Sequence, residues 1–320
     1  MLRTLGLLYR PEIGAIVGAF LVTCAFSSIT DAFLTVDNFI TILTISAELG
    51  VVVIGVAFLM ISGEFNLSVG ALFALAPLTV IALTNQGLDM TLSFIIAILL
   101  SALIGYICAV ITLRTHIPSF ITTLGVMFAI RGVLLMVTEG FPLKYRGPPH
   151  YLMLTLGGKT PLGFRVSIIW FIILLVIFTI ILELTPYGNH VFAVGRDVRV
   201  AEALGINAKR IKTINFVLSG ILAGLGGCLT LDRLKMVDPL LGTGLELEAI
   251  AASVVGGCSL FGGYGSIIGA AIGAIIIAMV RCGLVLVGIS AFWYTAFIGG
   301  ILVIASLINK YVGDWILKRR

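Results

Sequence analysis

Charge is what this chain has least of. Only 11% of its 320 residues are Asp, Glu, Lys or Arg, while 60% are hydrophobic. A soluble domain is about a quarter charged and about half apolar. A water-soluble fold could not cover this much apolar surface, so lipid must solvate much of it. Histidine is scarce too: His116, His150 and His190 are isolated, and no pair stands at helical metal-ligand spacing. The five cysteines (Cys24, Cys108, Cys228, Cys258 and Cys282) form no CxxC or CxxH pair. They fall in or beside apolar runs and read as small buried hydrophobes. No Ser-His-Asp or Cys-His arrangement can be drawn from this distribution, which argues against an intramembrane enzyme. The net charge of +5 lies at span ends and in one loop, not along a face, which argues against nucleic acid.

What the chain has instead is long apolar runs. Ten stretches stand out, at residues 13–29, 39–61, 67–83, 92–113, 120–137, 166–184, 211–229, 247–255, 266–287 and 292–308. The eighth is too short to cross a bilayer alone, so it must extend or be broken. The expectation is an all-α polytopic membrane protein of about ten transmembrane helices, some discontinuous. Residues 1–320 leave no room for a separate soluble domain of ordinary size. The first run ends in no small-residue cleavage site and reads as a retained helix.

Lysine and arginine set the orientation. With ten crossings and a cytoplasmic N-terminus, Arg3, Arg10, Arg114, Arg196, Arg199, Lys209, Arg210, Lys212, Lys310, Lys318, Arg319 and Arg320 lie inside. Lys144, Arg146, Lys159, Arg165, Arg233 and Lys235 lie outside. The excess places both termini in the cytoplasm, with an inner loop at about 186–212 and an outer loop at about 139–163. Pro142, Pro148, Pro149 and Pro161 break helices and make that outer loop an ordered or semi-ordered cap. Gly220 and Gly224, and Gly265, Gly269 and Gly273, recur every fourth residue, as in helices that pack closely within a bundle.

The inner loop carries the longest charged stretch. Asp197 can N-cap a short helix running through Ala203 or Leu204, and Gly205 suits the position just beyond its end. Asn207 can then cap the seventh span, with Ile206 between the two. Val198, Ala201 and Leu204 fall near one face of the short helix. On pattern alone such an element docks into a partner's groove or rests on lipid headgroups.

Residues 192–212, Phe-Ala-Val-Gly-Arg-Asp-Val-Arg-Val-Ala-Glu-Ala-Leu-Gly-Ile-Asn-Ala-Lys-Arg-Ile-Lys, resemble the coupling-helix loop of ABC-importer permeases. The class is the one taking up ribose, xylose and similar monosaccharides, with branched-chain amino-acid permeases among its relatives. Three further blocks agree: residues 63–70, Gly-Glu-Phe-Asn-Leu-Ser-Val-Gly; residues 118–125 followed by Arg131-Gly132; and residues 242–266. Glu64 and Asn66 depart from the family's usual Gly and Asp. The resemblance implies alternating access in a bacterial plasma (inner) membrane. It implies an ATPase subunit docked at Glu202, Ala203 and Gly205, a solute-binding protein outside, and a second permease chain. ATP and Mg belong to the partner ATPase, and no cofactor is expected in this chain. The glycine-rich stretch 256–265 has no Gly-Lys-Ser/Thr and so is no phosphate loop. Its glycines suit a tight reversal.

Ionisable groups within spans are Glu48, Arg131 and Arg281. Each costs about 2.5–3.5 kcal/mol at mid-bilayer, so each should face protein or water. Glu48 paired with one of the two arginines would lock helices; unpaired, it would line a polar path. Neutral sugars need hydrogen bonds, which makes Asn66, Ser68, Thr122 and Thr123 candidates for the path, with Phe65 and Phe120 as stacking surfaces. Glu246 and Glu248 read as exposed carboxylates at a helix end. The alternatives are an ABC permease for an amino acid, a nucleoside or a signalling furanose, and a stand-alone sugar facilitator. Glu48 is the one carboxylate available to a coupling ion, which argues against a proton or sodium carrier.

Overall fold

The computed structural model describes residues 11–161, 163–289, 293–304 and 307. The expected cytoplasmic termini, with Arg3, Arg10, Lys310, Lys318, Arg319 and Arg320, lie outside the described residues. The helices are α1 (Pro11–Ile29), α2 (Val36–Ile61), α3 (Val69–Asn85), α4 (Met90–Thr115), α5 (Ser119–Thr138), α6 (Tyr151–Gly157) and α7 (Val166–Leu184). There follow α8 (Pro186–Arg196), α9 (Val198–Ala203), α10 (Ala208–Cys228), α11 (Leu231–Leu234), α12 (Leu245–Val255) and α13 (Ile267–Leu286). A last apolar helix, α14, spans Trp293–Ile304.

Seven segments among the described residues are long and apolar enough to cross a membrane: α1, α2, α4, α5, α7, α13, and α10 with α11 as one run, Ala208–Leu234. Among the described residues seven of the ten expected stretches reach spanning length, and those that form α3, α12 and α14 are shorter. The third stretch forms α3, 17 residues with Pro77 inside. The eighth forms α12, only 11 residues, as its length in the sequence required.

α2 is the central post. It packs on α7, α10, α12 and α13, and 89% of its apolar window is buried. α1 and α7 instead point Phe20, Leu21, Ile172 and Val176 outward, as side chains solvated by lipid would be. Small residues set the closest approaches. A Cβ on Gly273 would strike the Ala252 carbonyl, so α12 and α13 touch backbone to backbone. A Cβ on Gly220 would meet the Ser101 carbonyl at 2.5 Å, which brings α10 against α4. The glycine repeats therefore pack helices of the same chain. Four cysteines are buried, and Cys24 on α1 is exposed.

α7 separates two differently built ends. Before it, at one end, β1 (Leu143–Lys144) pairs antiparallel with β2 (Met236–Val237). Asn85 Nδ2 donates to Lys144 O at 2.9 Å, and Trp170 Nε1 donates to Thr155 O at 2.9 Å. The proline-rich loop is thus an ordered cap. A Gly-Lys-Thr triplet does occur within it, at Gly158, Lys159 and Thr160. Met153 stands where a phosphate loop needs its first glycine, and Thr160 Oγ1 donates to Phe164 O at 2.8 Å, closing a turn. At the same end Asp89 caps α4, accepting from Thr91 N at 2.8 Å and Leu92 N at 3.1 Å. The Leu92 amide above all holds its carboxyl below the usual range. After α7, at the opposite end, come α8 and α9.

Candidate functional site

Pro186 starts α8 at a position where no N–H is needed. A Cβ on Gly195, near its end, would collide with the Ile61 carbonyl. Gly263 N donates to that same carbonyl at 2.8 Å, and Gly262 and Gly263 take φ of +81° and +73°, angles open to glycine. The α2–α3 break, the end of α8 and the glycine-rich turn at 256–266 therefore meet through backbone. Tyr187 Oη donates to Asn215 Oδ1 at 2.6 Å, and Asn215 Nδ2 donates to Phe58 O at 3.3 Å. Burial keeps the Tyr187 hydroxyl protonated well above the usual phenol range. α8, α10 and α2 are braced at this point into one platform.

α9 stands on that platform. Asp197 Oδ1 accepts from Arg199 N at 2.8 Å and Val200 N at 3.3 Å, as the sequence suggested. The helix ends at Ala203, Leu204 caps it, and Gly205 follows with φ +81°. Asn207 Oδ1 accepts from Arg210 N at 2.9 Å and opens α10. Ala201 is buried, and Val198 and Ile206 are half-buried. Asp197, Val200, Glu202, Ala203, Leu204, Gly205 and Asn207 are exposed. Leu204 is 73% exposed and does not share one face with Val198 and the buried Ala201, as the pattern suggested. The helical phase stops at Ala203, so position 204 no longer follows it. Val200 and Leu204 thus present apolar surface outward beside Glu202.

Lys212 Nζ and Glu64 Oε1 pair at 2.6 Å, joining the start of α10 to the α2–α3 break. A cleft of about 430 Å³ opens beside them, lined by Glu64, His116, Ser119, Glu202, Lys209 and Lys212 among others.

The break itself gathers most of the polar path candidates. Asn66 Nδ2 donates to Ser219 Oγ at 3.2 Å, and its Oδ1 accepts from Ser68 N at 3.0 Å and Ser68 Oγ at 2.6 Å. Leu67 N donates to Thr123 Oγ1 at 3.0 Å, and Phe65 N donates to Ser119 Oγ at 3.1 Å. Non-helical backbone at membrane depth must find such partners within the protein. Asn66, Ser68, Thr122 and Thr123 are buried, and Phe65 is half-buried. Phe120 is 53% exposed, on the outer side of α5. Sequence reasoning passed over Ser119, at the start of α5, and Ser219, midway along α10; only Ser119 carried a signal, a hydroxyl in the first turn of a helix beside a broken span.

Glu48 lies elsewhere, and its partner is neither Arg131 nor Arg281. Arg233, from the opposite end, donates through Nε to Oε1 at 2.9 Å and through Nη2 to Oε2 at 2.5 Å. α11 continues α10 and lowers Arg233 beside α2. Arg131 instead donates to Pro239 O at 2.6 Å and Gly70 O at 3.0 Å. Those bonds tie segment 238–244 to the start of α3. Glu246 and Glu248 are not exposed. Glu246 is buried against Gly70, whose missing Cβ makes room for its carboxylate, and Glu248 is half-buried 4.0 Å from Arg281. α12 begins inside the bundle because segment 238–244 reaches down to Gly70. Among the described residues no group of three or more His, Cys, Asp or Glu could hold a metal.

Broken helices at the centre of an apolar bundle, and a capped peg at one end, are the parts of a multi-pass membrane permease. The family described as "Branched-chain amino acid transport system / permease component" matches residues 38–306, and the chain belongs to it. Similar proteins include the ribose import permease protein RbsC of Bacillus subtilis (strain 168), 33% identical over 299 residues, 93% of this chain and 92% of the relative. The probable ABC transporter permease protein YphD of Escherichia coli (strain K12) is 34% identical over 298 residues, 93% and 89% of the two chains. The xylose/arabinose import permease protein XylH of Sulfolobus acidocaldarius is 33% identical over 288 residues, 88% of this chain and 79% of the relative. No solved structure matches the chain.

Proposed function

We propose that this chain is the membrane-spanning permease subunit of an ATP-driven (ABC) importer for a monosaccharide of the ribose or xylose kind. It is a single permease domain in a bacterial plasma (inner) membrane, with the α8–α9 end in the cytoplasm. It carries no ATPase site: ATP and Mg work in a partner ATPase. A solute-binding protein delivers sugar at the capped end, and a second permease chain completes the path.

The α9 peg carries this reading. Residues 197–207 form a capped helix on a backbone-packed platform, with Val200, Glu202 and Leu204 turned outward. A partner groove that takes those side chains can move the platform without bending the peg. The platform ends at the α2–α3 break, where Asn66, Ser68, Thr122 and Thr123 offer hydrogen bonds and Phe65 and Phe120 offer ring faces. These residues line or gate the path, and Glu48 braces it through Arg233. Repacking of the break during alternating access exchanges their internal bonds for sugar hydroxyls. The names of the relatives support sugar as cargo.

The test is reconstitution with the cognate ATPase and binding protein. Glu202→Lys or Gly205→Pro should separate ATP hydrolysis from sugar uptake while membrane insertion persists. Normal uptake by both variants, or uptake by the chain alone without ATP, overturns the reading.

A further inference from the structure

Arg281 has no role in the coupling peg or in the α2–α3 break. It sits in the last third of α13, toward the capped end, and is half exposed. Among the described residues its guanidinium has two neighbours: Glu248 Oε2 at 4.0 Å, beyond hydrogen-bond reach, and the Tyr294 ring, whose centroid is 5.6 Å away. These hold the cation on one side and leave its N–H donors unused. On the other side opens a cleft of about 440 Å³, within the range of small-ligand sites, about 300–1,000 Å³. Thr35, Asp37, Asn38 and Thr41 line it together with Arg281. Asp37 and Thr41 are exposed, while Asn38 is buried and donates to Phe33 O at 2.7 Å.

Ala32, Ile45, Val285 and Leu286 give the lining an apolar part, and its polar part mixes one carboxylate, one guanidinium, an amide and hydroxyls. A free phosphate or an anionic lipid headgroup would be drawn to Arg281 but repelled by Asp37. A neutral polyol satisfies both, accepting from the guanidinium and donating to the carboxylate. We propose that this cleft receives the sugar at the outer mouth of the path, with Arg281 donating to its hydroxyls and Asp37 and Thr41 accepting from them. The proposal rests on the monosaccharide reading above.

The test uses the chain in lipid vesicles, with Thr41→Cys in a Cys24→Ser background. A methanethiosulfonate reagent labels position 41, and the rate is read on the peptide that carries it. The probes are ribose, xylose and arabinose, with inorganic phosphate as the anionic arm. A bound sugar at ten times its Kd should slow labelling about tenfold. Arg281→Gln should weaken that protection about tenfold, as loss of a charged donor does. Asp37→Asn, at an exposed rim position, should weaken it also and keeps the test open if Arg281→Gln misfolds. Equal labelling with and without every sugar overturns the proposal, as does protection by phosphate instead, or protection that both variants retain. ATP-driven sugar uptake by the unsubstituted chain, measured in parallel, separates the two failures: uptake without protection removes this site alone, whereas no uptake removes the importer reading.

Discussion

Asp197→Ala tests whether α9 transmits force as a rigid body. The helix has 6 residues, so its unpaired N–H groups make up most of its amides. Asp197 satisfies two of them, at Arg199 and Val200. So short a helix has little propagation to offset the cost of nucleation. Its packing is thin as well, since Ala201 is its one buried residue. Loss of an N-cap costs about 1 kcal/mol, within a range of about 0.5–2. At 1–2 kcal/mol the ratio of ordered to frayed α9 falls by about 5–30-fold. Overall stability should hardly change, because the opening is local.

The assay is sugar imported per ATP hydrolysed in reconstituted vesicles, with the thermal midpoint of each variant measured alongside. Asp197→Ala should lower the ratio severalfold at an unchanged midpoint. Asp197→Asn keeps a capping oxygen and should retain the ratio. Gly205→Ala attacks the other end: the space around it is open, so its cost is the left-handed φ of +81° alone, about 1–2 kcal/mol. It should reproduce the Asp197→Ala defect. If Asp197→Ala couples normally, or Asp197→Asn falls as far as Asp197→Ala, rigidity set by the caps is not what carries the force.

Three further outcomes follow from named contacts. Arg233→Ala leaves Glu48 buried without its partner and should cost about 3–5 kcal/mol, whereas the double variant with Glu48→Leu should recover much of the loss in thermal unfolding. Tyr187→Phe strands Asn215 Oδ1 and should cost about 1–3 kcal/mol. The raised pKa of Tyr187 fixes a sign as well: the wild-type hydrogen bond persists below the ordinary phenol range and is lost as pH rises through the folded value, so alkaline destabilisation should be weaker in the variant. Asp89 has a depressed pKa, so its cap on α4 holds above the ordinary carboxylate value and fails as pH falls through the folded one. Protection of the Thr91 and Leu92 amides against exchange, relative to their intrinsic rates at each pH, should fall in acid, and Asp89→Asn should abolish that dependence.

What could be read from the sequence divides by the range of the interaction. The caps at Asp197, Gly205 and Asn207 act over two or three residues, and all three stand where the pattern put them. The glycine repeats were legible because close approach leaves a local signature, the missing side chain. Glu48 shows the limit. Its partner is 185 residues away, on a helix that runs past its expected end. A charge within a span announces that it has a partner but does not say which. Glu246 fails for a related reason. An 11-residue helix that cannot cross the bilayer alone must begin inside it, so the short eighth stretch already held the information that its first carboxylate would be buried. Leu204 was misplaced because helical periodicity was carried one residue beyond the helix. At a peg of six residues the boundary, and not the period, decides which side chains a partner meets. Val200 and Leu204 are the outcome: two apolar side chains held in water by caps whose positions were already written in residues 197–207.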